Sequence, residues 1–366
     1  MLRVARAAPP LPRRRRRTTM RLPNLSEPLS PDAPLWAWAY EAIGRRAETM
    51  VGHLEDVRRG EDIEAVHDMR VWSRRLVAAM RVYRDCFPGP RFRRLLKEAR
   101  GVTRRLGTVR DLDVLIDHYE RLEPAAPAET LPAIGYLPAV RRAERRKARG
   151  PMLQALDTLE TTHFPARLRA FLREEAEACS VGLTPAAVRG PRESGTLHAE
   201  LSFREAAPLA LEERHRELFA FAPHVDHPEA VEELHAMRIA AKWLRYTMEL
   251  FAPAYADELK RPISTVKKLQ ELLGELHDSD VRLQQLHAAL AGPLCPGAVA
   301  EIGLTETEPV RGALSLLKRD EQDERRARYE AFRKEWRKLE GRAFRECCLE
   351  RLRNPDAAAG TPAAGG

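Results

Sequence analysis

Two stretches of the chain carry histidine, arginine and lysine at spacings suited to holding several anionic groups at once. Residues 66–83 read VHDMRVWSRRLVAAMRVY, where His67 is followed by Arg70, Arg74 and Arg81. Residues 234–251 read LHAMRIAAKWLRYTMELF, with His235, Arg238, Lys242 and Arg245 in the same order. At one constant offset His67 matches His235, Arg70 matches Arg238 and Arg74 matches Lys242, while Leu76, Met80 and Tyr83 match Leu244, Met248 and Phe251. Arginine offers bidentate forks to phosphate oxygens and lysine a point charge. Histidine donates one N–H when neutral and two when protonated, with a free pKa of about 6.5. A nearby polyanion raises that pKa, so binding through these histidines is expected to strengthen as pH falls.

Each helical residue advances roughly 100°, which gathers Arg70, Arg74 and Arg81 within about 60° of His67 and sets Met69, Leu76, Met80 and Tyr83 roughly opposite. In the second copy His235, Arg238, Lys242 and Arg245 oppose Met237, Leu244, Met248 and Phe251 in the same way. Both stretches therefore read as helices with one core stripe and one cationic stripe. A lone charged face is most often simply solvated. Such faces, however, usually mix signs to form i,i+4 pairs. These two stripes hold almost no acids before Glu249, and they recur.

Neighbouring segments add cations. Lys97, Arg100 and Arg104 share a face at i, i+3 and i+7. The second half keeps Lys260, Lys267 and Lys268 but has Glu271 where the first has Arg104. Arg145 and Arg146 in ERRKA resemble Arg325 and Arg326 in ERRAR. If the faces converge they make a concave basic surface for a string of phosphates. The first half is the more cationic and is expected to make the tighter contacts.

Acids follow at fixed places. Asp111 and Asp113 come shortly after Gly107, and Asp278 and Asp280 shortly after Gly274. Reading each glycine as a helix end makes Asp111 and Asp278 N-caps of the next helix. Asp113 and Asp280 are placed to salt-bridge basic residues and orient them. A metal role for D-x-D is a weaker reading, since two carboxylates so spaced are common. No P-loop, G-x-S-x-G or Cys/His dyad with a recognisable setting is present. No catalytic residue, cofactor or metal ligand is assigned.

The elements that must position these residues are helical. Aromatic residues are 6% and charged residues 32% of the 366-residue chain. Alternating β-branched runs are missing, so strands are not expected. Residues 1–30, with Arg13–Arg17, read as a disordered tail, as do residues 355–366. Helical patterning starts near Pro34, with Asp32 as a cap. Pro151 and Pro165 read as kinks or breaks. Residues 181–200 carry Gly, Pro and Ser without helical period and read as a linker between halves at 31–180 and 201–354. Short connections favour antiparallel bundles.

The net charge of +8 and pI near 9.4 call for an anionic partner. The five cysteines form no CxxC pair, which argues against a disulfide framework or a zinc site. No apolar run reaches the roughly 20 residues a membrane span needs, and no secretory leader is evident. A cytoplasmic location without membrane contact is the expectation.

The repeated H-x-x-R-[VI]…[RK]-x-L…M helix, followed by L-G-x-x-[RH]-D-x-D-V, resembles the CHAD family, the conserved histidine α-helical domains. The likeness covers about residues 34–353. It implies an all-α fold of two similar bundles related by a pseudo-twofold. It also implies non-catalytic binding of inorganic polyphosphate in a basic central cleft, with targeting to polyphosphate granules and granule proteins as further partners. The phosphate-contacting role then falls on His67, Arg70, Arg74, His235, Arg238 and Lys242, supported by the neighbouring cations. Glu249 and Glu271, standing where the first half has Arg81 and Arg104, depart from symmetric binding. An adjoining triphosphate-hydrolase domain would show E-x-E-x-K. The nearest match, from Glu306 to Val310, lacks the lysine and contains Pro309. The chain therefore reads as a stand-alone member. Competing readings are a nonspecific nucleic-acid binder using the same cations and, less favoured, a metal-dependent phosphohydrolase using the four aspartates. Against nucleic acid, no stacking aromatics interleave the basic stripes.

Overall fold

The computed structural model describes residues 29–180, 197 and 199–340. The expected tails lie almost wholly outside the described residues, and so does most of the expected linker. The described elements are helices, with only an isolated bridge between Pro34 and Ser202. In chain order they are α1 (Leu35–Gly52), α2 (Leu54–Arg59), α3 (Ile63–Val82), α4 (Pro90–Leu122), α5 (Leu131–Thr161) and α6 (Phe164–Ser180). After the linker come α7 (Phe203–Phe219), α8 (Val231–Phe251), α9 (Ala256–Ala291), α10 (Pro296–Glu301) and α11 (Glu308–Leu339). The sequences of α3, α4 and α5 match those of α8, α9 and α11 in order, so the repeated elements expected from the sequence are present.

Local chemistry fixes several ends. The Asp62 side chain accepts from the Glu64 N–H at 2.8 Å and caps α3. Ser202 and Glu205 form a capping box on α7. Asp32 does not cap α1, whose N-cap is Pro34. Pro151 stays inside α5, whereas the helix after it does break, between Thr161 and Phe164.

The largest departure concerns the glycines. Gly107 and Gly274 do not end helices. α4 runs through Gly107 and α9 through Gly274 without interruption. Asp111 and Asp278 are therefore mid-helix residues and cap nothing. Buried residues Ala99, Val102, Leu106, Val109, Asp113, Ile116 and Tyr119 keep three-to-four spacing across Gly107. Burying that continuous stripe outweighs the roughly 1 kcal/mol that glycine costs in a helix interior.

The core stripes fall where the periodicity puts them. Met69, Leu76, Met80 and Tyr83 of α3 and Met237, Leu244, Met248 and Phe251 of α8 are completely buried. They belong to one core shared by both halves, and the Tyr83 and Phe251 rings meet edge-on at 6.3 Å. A smaller core joins Tyr119, the start of α5, Leu286, α10 and the start of α11. Near the linker, the Leu35 N–H donates to the Leu201 carbonyl at 2.7 Å and the Phe203 N–H to Ala33 at 2.9 Å. The halves are thus fused by packing and by backbone bonds.

An ionic network is buried between α9 and α11. Arg282 forks onto Glu321, Nε to Oε2 at 2.8 Å and Nη2 to Oε1 at 2.9 Å, and Arg328 Nη1 reaches the same Oε1 at 3.0 Å. Both partners of the central pair are under a tenth exposed. Removing one charge would leave the other buried and uncompensated. Glu321→Gln is expected to lower the unfolding free energy in urea by about 3 kcal/mol; a loss below about 1 kcal/mol would mean that water reaches the pair.

Candidate functional site

α3 and α8 pack so that their cationic stripes meet. Arg70 and Arg74 from α3 and Arg238 and Lys242 from α8 are mutual charge neighbours, and Arg81 joins them through Lys242. All but Arg81 are half-buried. Four of the predicted residues from the two halves thus share one site with a fifth at its edge.

Their electrostatics reflect crowding. Burial takes water from Lys242, and Arg74, Arg238, Arg70 and Arg81 repel its proton, bringing its pKa down to about 7. Burial and the neighbouring arginines also lower Arg70 and Arg238, against the opposing pull of Asp111 and Asp278. Arg70 Nη2 donates to Asp111 Oδ1 at 2.8 Å and lies against Gly107, where an added Cβ would sit 3.6 Å from Nε. Arg238 Nε is buried with no hydrogen-bond partner.

The histidines differ. His235 Nδ1 and His277 Nδ1 lie 3.0 Å apart, so one donates and the other accepts. Burial, then Arg238 and Lys242, lower His235. Burial, then Arg238 and His235, bring His277 down to about 4. Both are therefore neutral at pH 7, and a proton gained near neutral pH falls on Lys242, not on this pair. Among the described residues His67 has no ring partner of this kind. At the position matching His277 stands Arg110, which turns to Glu64 with Nη1 to Oε1 at 3.1 Å.

Other predicted residues serve differently. Arg145 pairs with buried Asp113, and Arg325 Nε donates to Asp280 Oδ1 at 2.5 Å. The second carboxylate of each D-x-D thus orients a basic residue, as expected. Arg146 and Arg326 are exposed, the latter 3.4 Å from Asp323. Lys97, Arg100 and Arg104 form an exposed row on α4. Arg245 and Lys267 are paired within their own helices, with Glu249 at 3.4 Å and Glu271 at 3.5 Å. Sequence reasoning gave no site role to Arg110, His277 or Trp243. The first two were detectable, because they occupy the same [RH] position of the two motif copies. Trp243 lies under Arg81 at 4.7 Å and near Lys242 at 5.6 Å.

The fold and site together define an all-helical protein with a repeated sequence pattern and a cluster of cations where α3 meets α8. The chain belongs to the CHAD family, whose model matches residues 41–287 under the description CHAD domain. It is similar to the crystal structure of the CHAD domain from the plant Ricinus communis, with a TM-score of 0.60 and 25% identity, covering 84% of this chain and 93% of that one. It is also 28% identical over 267 residues to an uncharacterized protein of Mycobacterium tuberculosis (strain CDC 1551 / Oshkosh), covering 72% of this chain. The chain spans about half the length of that relative, 47%. No helix among the described residues is long and apolar enough to cross a membrane.

The Lys242 pKa sets a sign for stability. Its folded value of about 7 lies below the ordinary 10.5. Protonated Lys242 therefore opposes folding, fully below pH 7, and the opposition fades as pH rises from there toward 10. Lys242→Met is expected to raise the melting temperature at pH 6 and to lose that gain by pH 10. An equal gain at both values would show that Lys242 titrates normally.

Proposed function

We propose that the protein binds inorganic polyphosphate, without hydrolysing it, in the cleft between α3 and α8. The observation that carries this is the set of like charges held together without enough carboxylates. Arg74, Arg81 and Lys242 have no acid within ion-pair distance among the described residues, and Arg238 Nε is unbonded. Cations elsewhere, such as Arg58, Arg91 and Arg333, do have carboxylate partners. Holding such charges in a partly desolvated cleft is unfavourable unless an anion compensates them. A chain of phosphates supplies repeated charge at close spacing. The CHAD family is associated with polyphosphate binding, which supports the same ligand. Targeting to polyphosphate granules is the cellular role we attach to this binding.

Two observations weigh against the alternatives. The indole faces that could stack on bases are already approached by cations, Trp243 by Arg81 and Trp72 by Arg75 at 4.8 Å. Asp111, Asp113 and Asp280 are each engaged by an arginine, which competes with metal coordination.

Arg238→Ala should weaken long-chain polyphosphate by roughly tenfold or more, the loss of charge-assisted hydrogen bonds. Polyphosphate should bind well above single- or double-stranded nucleic acid at matched charge and physiological salt. Equal affinities would mean that counterion release alone explains binding. Polyphosphate incubated for hours with the protein and magnesium or manganese should keep its length; shortening would make the protein an enzyme. Because the bound anion favours protonated Lys242, affinity is greatest below about pH 7 and falls above it, and Lys242→Arg should flatten that decline.

A further inference from the structure

The cation row has a direction. Both helices place acids ahead of their first arginine, Glu64 and Asp68 in α3 and Glu232 and Glu233 in α8. None follow between Arg70 and Arg81 or between Arg238 and Arg245. At the Arg70 end, Asp111 and Asp278 come in from α4 and α9. Asp111 touches Arg70 at 2.8 Å, both acids are charge neighbours of Arg238, and each lies close enough to repel the other. Some 16 Å along α3, at about 1.5 Å per residue, the Arg81 end opens onto more cations. Its like-charge neighbours are Arg100, Arg214 and Arg84, with Glu217 as the opposing acid. Glu217 pairs with Arg214 at 2.6 Å and Asp85 with Arg84 at 3.3 Å, so Arg100 carries the row onward.

Past Arg100, the exposed face of α4 continues through Arg93, Lys97 and Arg104. None of these has a carboxylate within ion-pair distance among the described residues. On the matching face of α9, Lys260 stands at the place of Arg93, but Ser264 replaces Lys97, and Lys267 pairs at 3.5 Å with Glu271, the residue at the place of Arg104. The unpaired row is therefore the longer along α4.

We infer that a linear polyphosphate sits with one terminus against Arg70 and Arg238, is stopped there by Asp111 and Asp278, and runs out past Arg81 along the Arg93–Arg104 face of α4. The inference rests on the polyphosphate reading and adds to it an orientation and a preference for chain ends. An internal phosphate at Arg70 would force its next unit against two carboxylates, a like-charge contact in a partly desolvated place. A terminal phosphate has no next unit. It also carries an extra ionisable oxygen, which suits two opposed guanidinium forks. To take Arg70 it displaces Asp111, whose pair with Arg70 is partly exposed and weakly held.

The test uses the full chain and linear polyphosphate of one length, either native or capped at both ends as phosphoramidates. Capping should weaken binding about tenfold, the scale of one charge-assisted contact. Asp111→Asn with Asp278→Asn should remove most of that difference by admitting the capped chain. Asp111→Asn alone, at an exposed position, should remove part of it and covers the case where the double variant does not fold. Arg93→Gln with Lys97→Gln and Arg104→Gln should weaken long chains more than short ones. Equal affinity for capped and native chains overturns the end-first orientation and leaves polyphosphate binding standing. Failure of the native chain to bind overturns both.

Discussion

Mutual repulsion among Arg70, Arg74, Arg238 and Lys242 is the constraint around which this fold is built. Four half-buried cations held this close would separate if the helices carrying them could move. They cannot, because the opposite faces of the same helices are locked in the core. Met69, Leu76, Met80 and Tyr83 on one side and Met237, Leu244, Met248 and Phe251 on the other lose all solvent contact. At about 25 cal/mol per Å² of apolar surface, burial of these side chains opposes that repulsion. The unfavourable approach of these charges is thus completed on folding, which would preorganise the site for the proposed anion.

A second layer of ion pairs keeps other cations from adding to the strain. Asp113 holds Arg145 and Asp280 holds Arg325, linking α4 to α5 and α9 to α11 at matching places in the two halves. Beyond that layer the halves diverge. Arg282 anchors a buried network with Glu321 and Arg328, whereas Leu115 stands at the corresponding place in the first half. Arg245 and Lys267 each gain a glutamate one turn on, at the positions of Arg81 and Arg104. The two halves share the sequence pattern, and their differences decide where positive charge stays unpaired.

Much of this was legible in the sequence because it rests on periodicity. The two cationic stripes, their opposing core stripes and the repeated helix order all follow from residue type at helical spacing. The ends read from Gly107 and Gly274 were misplaced for a physical reason. Buried Asp113 interrupts the apolar pattern that would have carried α4 across the glycine, and only its partner Arg145, a helix away, explains how a carboxylate sits there. Burial by the opposite half was not legible at all. Nothing local distinguishes Lys242 from a solvated lysine. Its lowered pKa exists only because α3 brings Arg70, Arg74 and Arg81 to it.

That burial also changes which half matters more. Counting cations favours the first half, and along α4 it does carry the longer unpaired row. In the cleft the balance shifts. Arg70 already has a carboxylate at 2.8 Å, while Arg238 Nε is buried and unbonded. An anion reaching Arg70 replaces an existing interaction and gains only the difference, whereas one reaching Arg238 satisfies a donor that has nothing. Under the proposed binding, the second half would hold the less satisfied guanidinium between α3 and α8, and the first half the longer unpaired row along α4.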